Sequence, residues 1–257
     1  MATNNSLAWF PSLMYHRVVE SVGNSDPYSL CMSVKMLDEQ LRFLKNRGYK
    51  VTSIEDAIKL AEDSEATDEN IVALTFDDGY LDFFIYALPV LQRYEFTATV
   101  FLVSNELGGI NSWDRGKVDS APLMGFKEIR EVQASGVTFG SHSCTHPLLA
   151  TLDSATAFRE IVDSKSALEQ VLGTEVRLFC YPYGNSNSSI QSVVADAGYV
   201  AACGIEQREH TVYNVSRIDA VLCHGTGLRW RHHLSGRSFR LRKAAAGVRD
   251  KVISRRR

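Results

Sequence analysis

No stretch of the 257 residues comes near the roughly 20 consecutive apolar residues of a membrane-spanning helix. The opening residues, MATNNSLAWFPSLMYHRVVE, hold no basic segment followed by an apolar stretch, so no secretory leader is expected. The five cysteines (Cys31, Cys144, Cys180, Cys203 and Cys223) are odd in number and show no CxxC spacing. Reduced thiols in a cytoplasmic protein are the simplest reading. No repeat, low-complexity segment or interdomain linker breaks the chain, whose length suits one α/β barrel or two small domains.

Strong net charge is also lacking, but the balance is uneven. The chain has 28 Lys/Arg and 30 Asp/Glu, a net charge of −2. Residues 229–257 hold 11 of the basic residues and one acidic residue, Asp250. An acidic body of net −12 thus carries a tail of net +10. The tail reads either as a solvated segment or as a contact for an anionic membrane surface or an acidic glycan.

What is present is an alternation. Apolar or β-branched runs occur at 12–18, 71–76, 97–103, 137–140, 177–183, 199–205 and 212–218. Between them lie helical stripes. One is Val34, Leu37, Leu41 and Leu44, ended by Gly48. A second is Ile54, Ala57, Ile58 and Ala61, with Ser53 as N-cap and Asp56 at N3. A third runs from Phe158 to Leu172 and stops at Gly173. About seven strands alternating with helices predict a parallel sheet or barrel. The longest irregular piece, 105–125, is of the kind that often carries function.

In parallel α/β folds, working residues gather at the C-terminal ends of strands. Four polar groups fall there: His16 in LMYHRV, Asp77 and Asp78 in ALTFDDGY, SHSCTH after VTFG, and YPYG after LFC. Side chains alternate along a strand, so Asp77 and Asp78 are expected to diverge and to serve two purposes. Asp and Gly also build turns, and this stretch alone supports both readings. His142 and His146 are four apart, which in a helical turn puts both on one face for one metal. Pro147 limits that helix to a single turn. The stretch is HSCTH rather than HExxH, so a general base must come from elsewhere, and the Asp pair can supply it. A site of two histidines and one aspartate leaves a zinc position open, with one Asp binding the metal and the other taking a proton from water. The YPYG turn offers backbone N–H groups for an oxyanion.

The motifs TFDDG, SHSCTHPLL and YPYGN, in this order, resemble those of the polysaccharide deacetylases of NodB-homology type (carbohydrate esterase family 4), over about residues 10–220. The resemblance implies an α/β fold, a distorted (β/α)7 barrel, and metal-dependent removal of an acyl group from an N-acylated sugar. It implies Asp77 as catalytic base, Asp78, His142 and His146 as metal ligands, and the Tyr183 backbone N–H as part of an oxyanion hole. NSWD (111–114) and PLMGFKEIREVQASG (122–136) are also similar to stretches of bacterial members. Three departures stand out. Cys180 replaces an arginine of the third motif that contacts the base in many members. No D-x-x-D-W motif follows. The late L-x-H motif has only His224, in VLCH, as its candidate. A subgroup similar to the deacetylases of poly-N-acetylglucosamine export has its acid histidine first, in a strand like LMYHRV. On that pattern His16 is the expected general acid and His224 its rival.

The expected organisation is a barrel domain over 1–225 and a basic tail or helix over 226–257. The expected cofactor is Zn2+, with Co2+ or Ni2+ able to substitute at two imidazoles and a carboxylate. The expected substrate is an N-acetylated sugar, oligosaccharide or glycolipid; no nucleic-acid partner is expected. The expected location is the cytoplasm, peripheral to a membrane if the tail engages one. The alternatives are an esterase or deformylase on a related acylated sugar, and a barrel that binds carbohydrate without turnover.

Overall fold

The apolar runs form parallel strands, and the amphipathic stripes form helices that cover them. The computed structural model describes residues 7–23, 26–62, 70–205, 210–221 and 234. Its strands are β1 (Ser12–Tyr15), β2 (Arg17–Val19), β3 (Cys31–Ser33), β4 (Lys50–Thr52), β5 (Ile71–Phe76), β6 (Thr99–Leu102), β7 (Thr138–Ser141), β8 (Leu178–Cys180), β9 (Ala201–Cys203) and β10 (Ile218–Asp219). Its α-helices are α1 (Val34–Asn46), α2 (Ile54–Glu62), α3 (Leu88–Tyr94), α4 (Phe126–Ala134), α5 (Ser154–Leu172) and α6 (Ser188–Asp196).

The main sheet runs β10-β1-β5-β6-β7-β8-β9, with every pair parallel. Between β9 and β10 the ring closes loosely. A bridge joins Cys203 to Val215, with the Val215 N–H donating to the Ala202 carbonyl at 2.8 Å. Three residues later the chain pairs with β1 as β10. Seven strands and this uneven seam make a distorted (β/α) barrel. β4 adds to the first half of β5, and β2 and β3 form a separate two-stranded sheet.

β5 is buried on both faces, as a parallel strand inside a barrel must be. Ile71 and Ala73 pack inward with Phe101, Leu178, Cys180, Ala201 and Cys203. Val72, Leu74 and Phe76 pack outward with the helix residues Leu37, Leu41, Ile129 and Leu168. This period of two fixes which residues enter the barrel interior. Helix ends follow the sequence. The Ser53 hydroxyl accepts from Asp56 N–H at 3.1 Å, and α5 ends at Gly173 with φ +65°.

Several expected strands are shorter in the structure. The run 12–18 breaks at His16, where β1 stops and the chain leaves for the small sheet. The run 177–183 keeps only Leu178–Cys180, because Pro182 has no N–H and Tyr183 is left-handed at φ +57°. The run 212–218 contributes only Ile218 to β10; its earlier residues form the Thr211–Asn214 turn and the seam. The four cysteines among the described residues are free thiols. Of the basic tail only Leu234 is described, and it is buried at 5% exposure in the main core. The rest of the tail and His224 lie outside the described residues.

Candidate active site

Asp77 continues the inward column of β5 after Ile71, Ala73 and Thr75. It meets Arg217, which stands just before β10. Arg217 Nη1 donates to Asp77 Oδ1 at 2.7 Å and Nη2 to Oδ2 at 2.8 Å. The guanidinium also donates to Thr75 Oγ1 at 3.1 Å and to the Gly204 carbonyl at 2.9 Å. Both partners are nearly fully buried. Burial alone would raise the Asp77 pKa, but Arg217 overrides it and holds the carboxyl well below the usual range. Cys180 Sγ, where the third motif was expected to carry an arginine, lies 3.0 Å from Arg217 Nη2 and 3.6 Å from Asp77 Oδ2. The arginine missing from that motif is therefore supplied from the segment just before β10.

Asp78 does not diverge as strand alternation predicts. Its φ of +72° turns the chain back, and both carboxylates line one cavity. Gly79 follows at φ +74°, where an added Cβ would meet Leu102 Cδ2 at 2.6 Å. Asp78 Oδ1 lies 3.4 Å from His142 Nε2 and 3.4 Å from His146 Nε2. All three residues are buried. His142 Nδ1–H donates to the Cys180 carbonyl at 2.8 Å, which leaves the Nε2 lone pair facing Asp78. His146 is held by rings instead, stacked on Trp113 at 4.7 Å and edge-on to Tyr183 at 4.6 Å.

The two histidines do not share a helical turn. Ser143 (φ +66°) and His146 (φ +62°) are both left-handed, and the segment is a bent loop. Among the described residues six non-glycine residues have positive φ, and Asp78, Ser143, His146 and Tyr183 are four of them. Such conformations cost about 1–3 kcal/mol each and persist only where surrounding contacts impose them. Backbone strain is thus concentrated on this one site.

The donor set fits a divalent transition metal. Two imidazole nitrogens and a carboxylate oxygen converge, and Asp78 Oδ1 is buried with no hydrogen-bond partner. Without a cation, burial and then Asp77 push the Asp78 carboxyl well above its usual range, and burial pushes His142 down to about 4. A cation between them would satisfy the orphaned oxygen and reverse both trends.

His16, at the break after β1, places Nε2 3.9 Å from Asp77 Oδ2. Burial lowers its pKa, and Asp77 opposes that shift. Tyr183, in the turn Pro182–Gly184, borders the same cavity of about 320 Å3. The irregular stretch 105–125 supplies a further wall through Trp113, Asp114 and Lys117. It is pinned there by the Tyr80–Leu123 bridge and by bonds from Leu81 N–H to the Pro122 carbonyl and from Met124 N–H to the Gly79 carbonyl, both at 2.9 Å, while an Ile110–Pro122 bridge closes the stretch on itself. All six residues singled out from the sequence therefore border one cavity at the C-terminal rim of the barrel.

Comparison with known proteins agrees with this arrangement. Residues 64–202, more than half of the chain, match the family model described as polysaccharide deacetylase. The chain is 26% identical over 215 residues to the Bacillus subtilis (strain 168) protein YxkH, covering 82% of this chain and 71% of that one. It is 29% identical over 205 residues to the poly-beta-1,6-N-acetyl-D-glucosamine N-deacetylase of Staphylococcus epidermidis, covering 72% and 66%. The solved structure of Streptococcus pyogenes deacetylase PplD in complex with acetate superimposes with a TM-score of 0.67 at 25% identity, over 82% of this chain and 91% of that chain. A family match of this extent, on a barrel whose rim gathers the motif residues, means that the chain belongs to the polysaccharide deacetylase family of hydrolases.

Proposed function

We propose that the protein is a metal-dependent deacetylase that hydrolyses the N-acetyl amide of an amino sugar within a glycan or glycolipid. The observation that carries this reading is Asp78 Oδ1, buried, unpartnered and 3.4 Å from two imidazole Nε2 atoms, beside a second carboxylate held ionised by Arg217. Asp78, His142 and His146 would hold the metal. When bound, such an ion lowers the pKa of water and polarises the acyl carbonyl.

The chain's own residues supply the proton transfers. Asp77, kept ionised by Arg217, accepts a proton from the attacking water. The Tyr183 backbone N–H donates to the oxyanion as the carbonyl becomes tetrahedral. His16 delivers a proton to the nitrogen as the C–N bond breaks, giving a carboxylic acid and a free amine. Similarity to the S. epidermidis enzyme supports a poly-N-acetylglucosamine type of substrate. Zn2+ is the proposed metal, a cytoplasmic location the proposed setting, and 1–225 and 226–257 the proposed division of the chain.

The test is acetate release from oligomers of N-acetylglucosamine, before and after chelation and on adding back Zn2+, Co2+ or Ni2+. Metal-restored release is expected, together with metal loss in His142→Ala and His146→Ala by elemental analysis. Formate release from N-formyl sugars, or release only from O-acetyl esters, would replace the acetamide reading. Full metal occupancy in both histidine variants would remove the ligand assignment.

A further inference from the structure

We infer that Glu160, on α5, is a positioning residue that clamps the loop between His142 and His146 and so sets the geometry of the metal ligands. This rests on the metal reading of Asp78, His142 and His146. Glu160 Oε2 accepts from the backbone N–H groups of Cys144 and Thr145, both at 2.9 Å. Glu160 Oε1 accepts from the Thr145 hydroxyl at 2.7 Å. One side chain thus binds both residues at the crest of the loop. One helical turn further along α5, Ser164 Oγ meets Ser141 Oγ, the last residue of β7, at 2.7 Å. Residues 160 and 164 share a helix face, so α5 grips β7 and its loop at two successive rungs.

The opposite side of the loop is held as well. Ser104 N–H donates to the Ser143 carbonyl and Asn105 N–H to the Cys144 carbonyl, both at 3.1 Å. The left-handed residues, Ser143 and His146, flank the two that Glu160 holds. A free loop would relax both toward ordinary backbone and swing His146 away from Asp78. His142 has its own anchor in the Cys180 carbonyl, whereas His146 Nδ1 has no hydrogen-bond partner among the described residues. The imidazole that lacks an outer hydrogen bond is therefore placed by the Trp113 and Tyr183 rings and by its backbone, whose N–H donates to Ser143 Oγ at 3.0 Å, and Glu160 holds the two residues before it.

The experiment uses the full chain and Co2+ alone as the probe. Loss of an outer-shell partner typically costs about 10–100-fold in metal affinity. Glu160→Ala is expected to weaken Co2+ binding by at least about tenfold and to change the visible Co2+ spectrum, which reports ligand geometry. In the metal-free protein, amide exchange at Cys144 and Thr145 should accelerate. Glu160→Gln keeps an oxygen for both N–H groups and is expected to retain wild-type spectrum and near wild-type affinity. Thr145→Val, which removes only the hydroxyl, keeps the test open if Glu160→Ala fails to fold; it should shift affinity in the same direction by less. Glu169→Ala, further along α5, should leave Co2+ binding unchanged. Wild-type affinity and spectrum in both Glu160→Ala and Thr145→Val would overturn the clamp, as would equal losses in Glu160→Gln and Glu160→Ala. A wild-type protein that binds no Co2+ would overturn the metal reading itself, and the clamp's role with it.

Discussion

Asp77 and Asp78 are chain neighbours with opposite electrostatics. Burial acts on both, but only Asp77 has a guanidinium against it, so one carboxyl is driven down and the other up. Asp77→Asn is expected to keep the metal and to lose about 10²–10⁴-fold in turnover, the usual contribution of a general base. It also strips Arg217 of its counter-charge, so a lower Tm should accompany the loss. A variant within threefold of wild type would move the base elsewhere. His16 carries the second residue-scale prediction. At equal metal content, His16→Ala should lose turnover on the amide by about 10²–10⁴-fold and less on an activated acetate ester, whose leaving group needs no proton. His224→Ala should stay near wild type, and the reverse pattern would transfer the acid role to His224. That Asp77, Asp78, His142, His146, Tyr183 and His16 meet at one rim was legible because each lies in a short local pattern at a strand end. Arg217 was not, because its partner lies 140 positions away and only the fold joins them. The inward turn of Asp78 was also illegible, since it depends on a backbone angle that strand alternation does not encode.

At the scale of elements, period and caps carried the information. α1, α2 and α5 have clear apolar stripes with recognisable starts or stops, and they form where the stripes indicate. α3 follows a π-helical turn at Phe83–Ala87 in a segment apolar on nearly every side, so no stripe marks it. α6 buries only Ile190 and Val194, too few apolar positions to mark a stripe, and its Asn187 cap becomes evident only in place. The strand β7 shows how tightly an element can bind a site to its neighbours. A Cβ on Gly140 would fall 2.5 Å from Phe101 Cε1 and 2.9 Å from the Leu178 carbonyl oxygen. Gly140→Ala should therefore push β7 off β6 and β8, two residues before His142. The expected cost is about 1–3 kcal/mol of stability by chemical denaturation, with weaker metal binding. Gly23→Ala, with open space at its Cβ, is the near-neutral control. Equal stability of the two variants would show that the barrel yields at β7.

For the molecule as a whole, the barrel was legible from the alternation of strands and helices, while the loose seam between β9 and β10 was not. The seam depends on Val215 pairing sideways with β9, and VYNVSRI reads as one continuous strand. Charge asymmetry is the other whole-molecule feature. The proposed membrane contact of the tail cannot use all of its apolar residues, because Leu234 is already buried in the core. A charge variant is thus a cleaner test than truncation. Each basic residue at an anionic surface contributes about 1 kcal/mol, so Arg255→Gln, Arg256→Gln and Arg257→Gln together should weaken partition onto anionic vesicles by about 10²-fold at low salt. Equal sedimentation of the triple variant and wild type would leave the tail a solvated segment.

The position of Arg217 also imposes an order on biosynthesis. Asp78, His142 and His146 have all been synthesised by residue 146, and Asp77 with them, but the guanidinium that keeps Asp77 ionised once buried arrives only just before the strand that pairs with β1. A nascent chain that has reached β9 already carries every proposed metal-binding group, yet its proposed base is still without its countercharge. The proposed ligands and the proposed base thus differ in what they require of the chain: the first are complete in sequence by residue 146, the second only with residue 217.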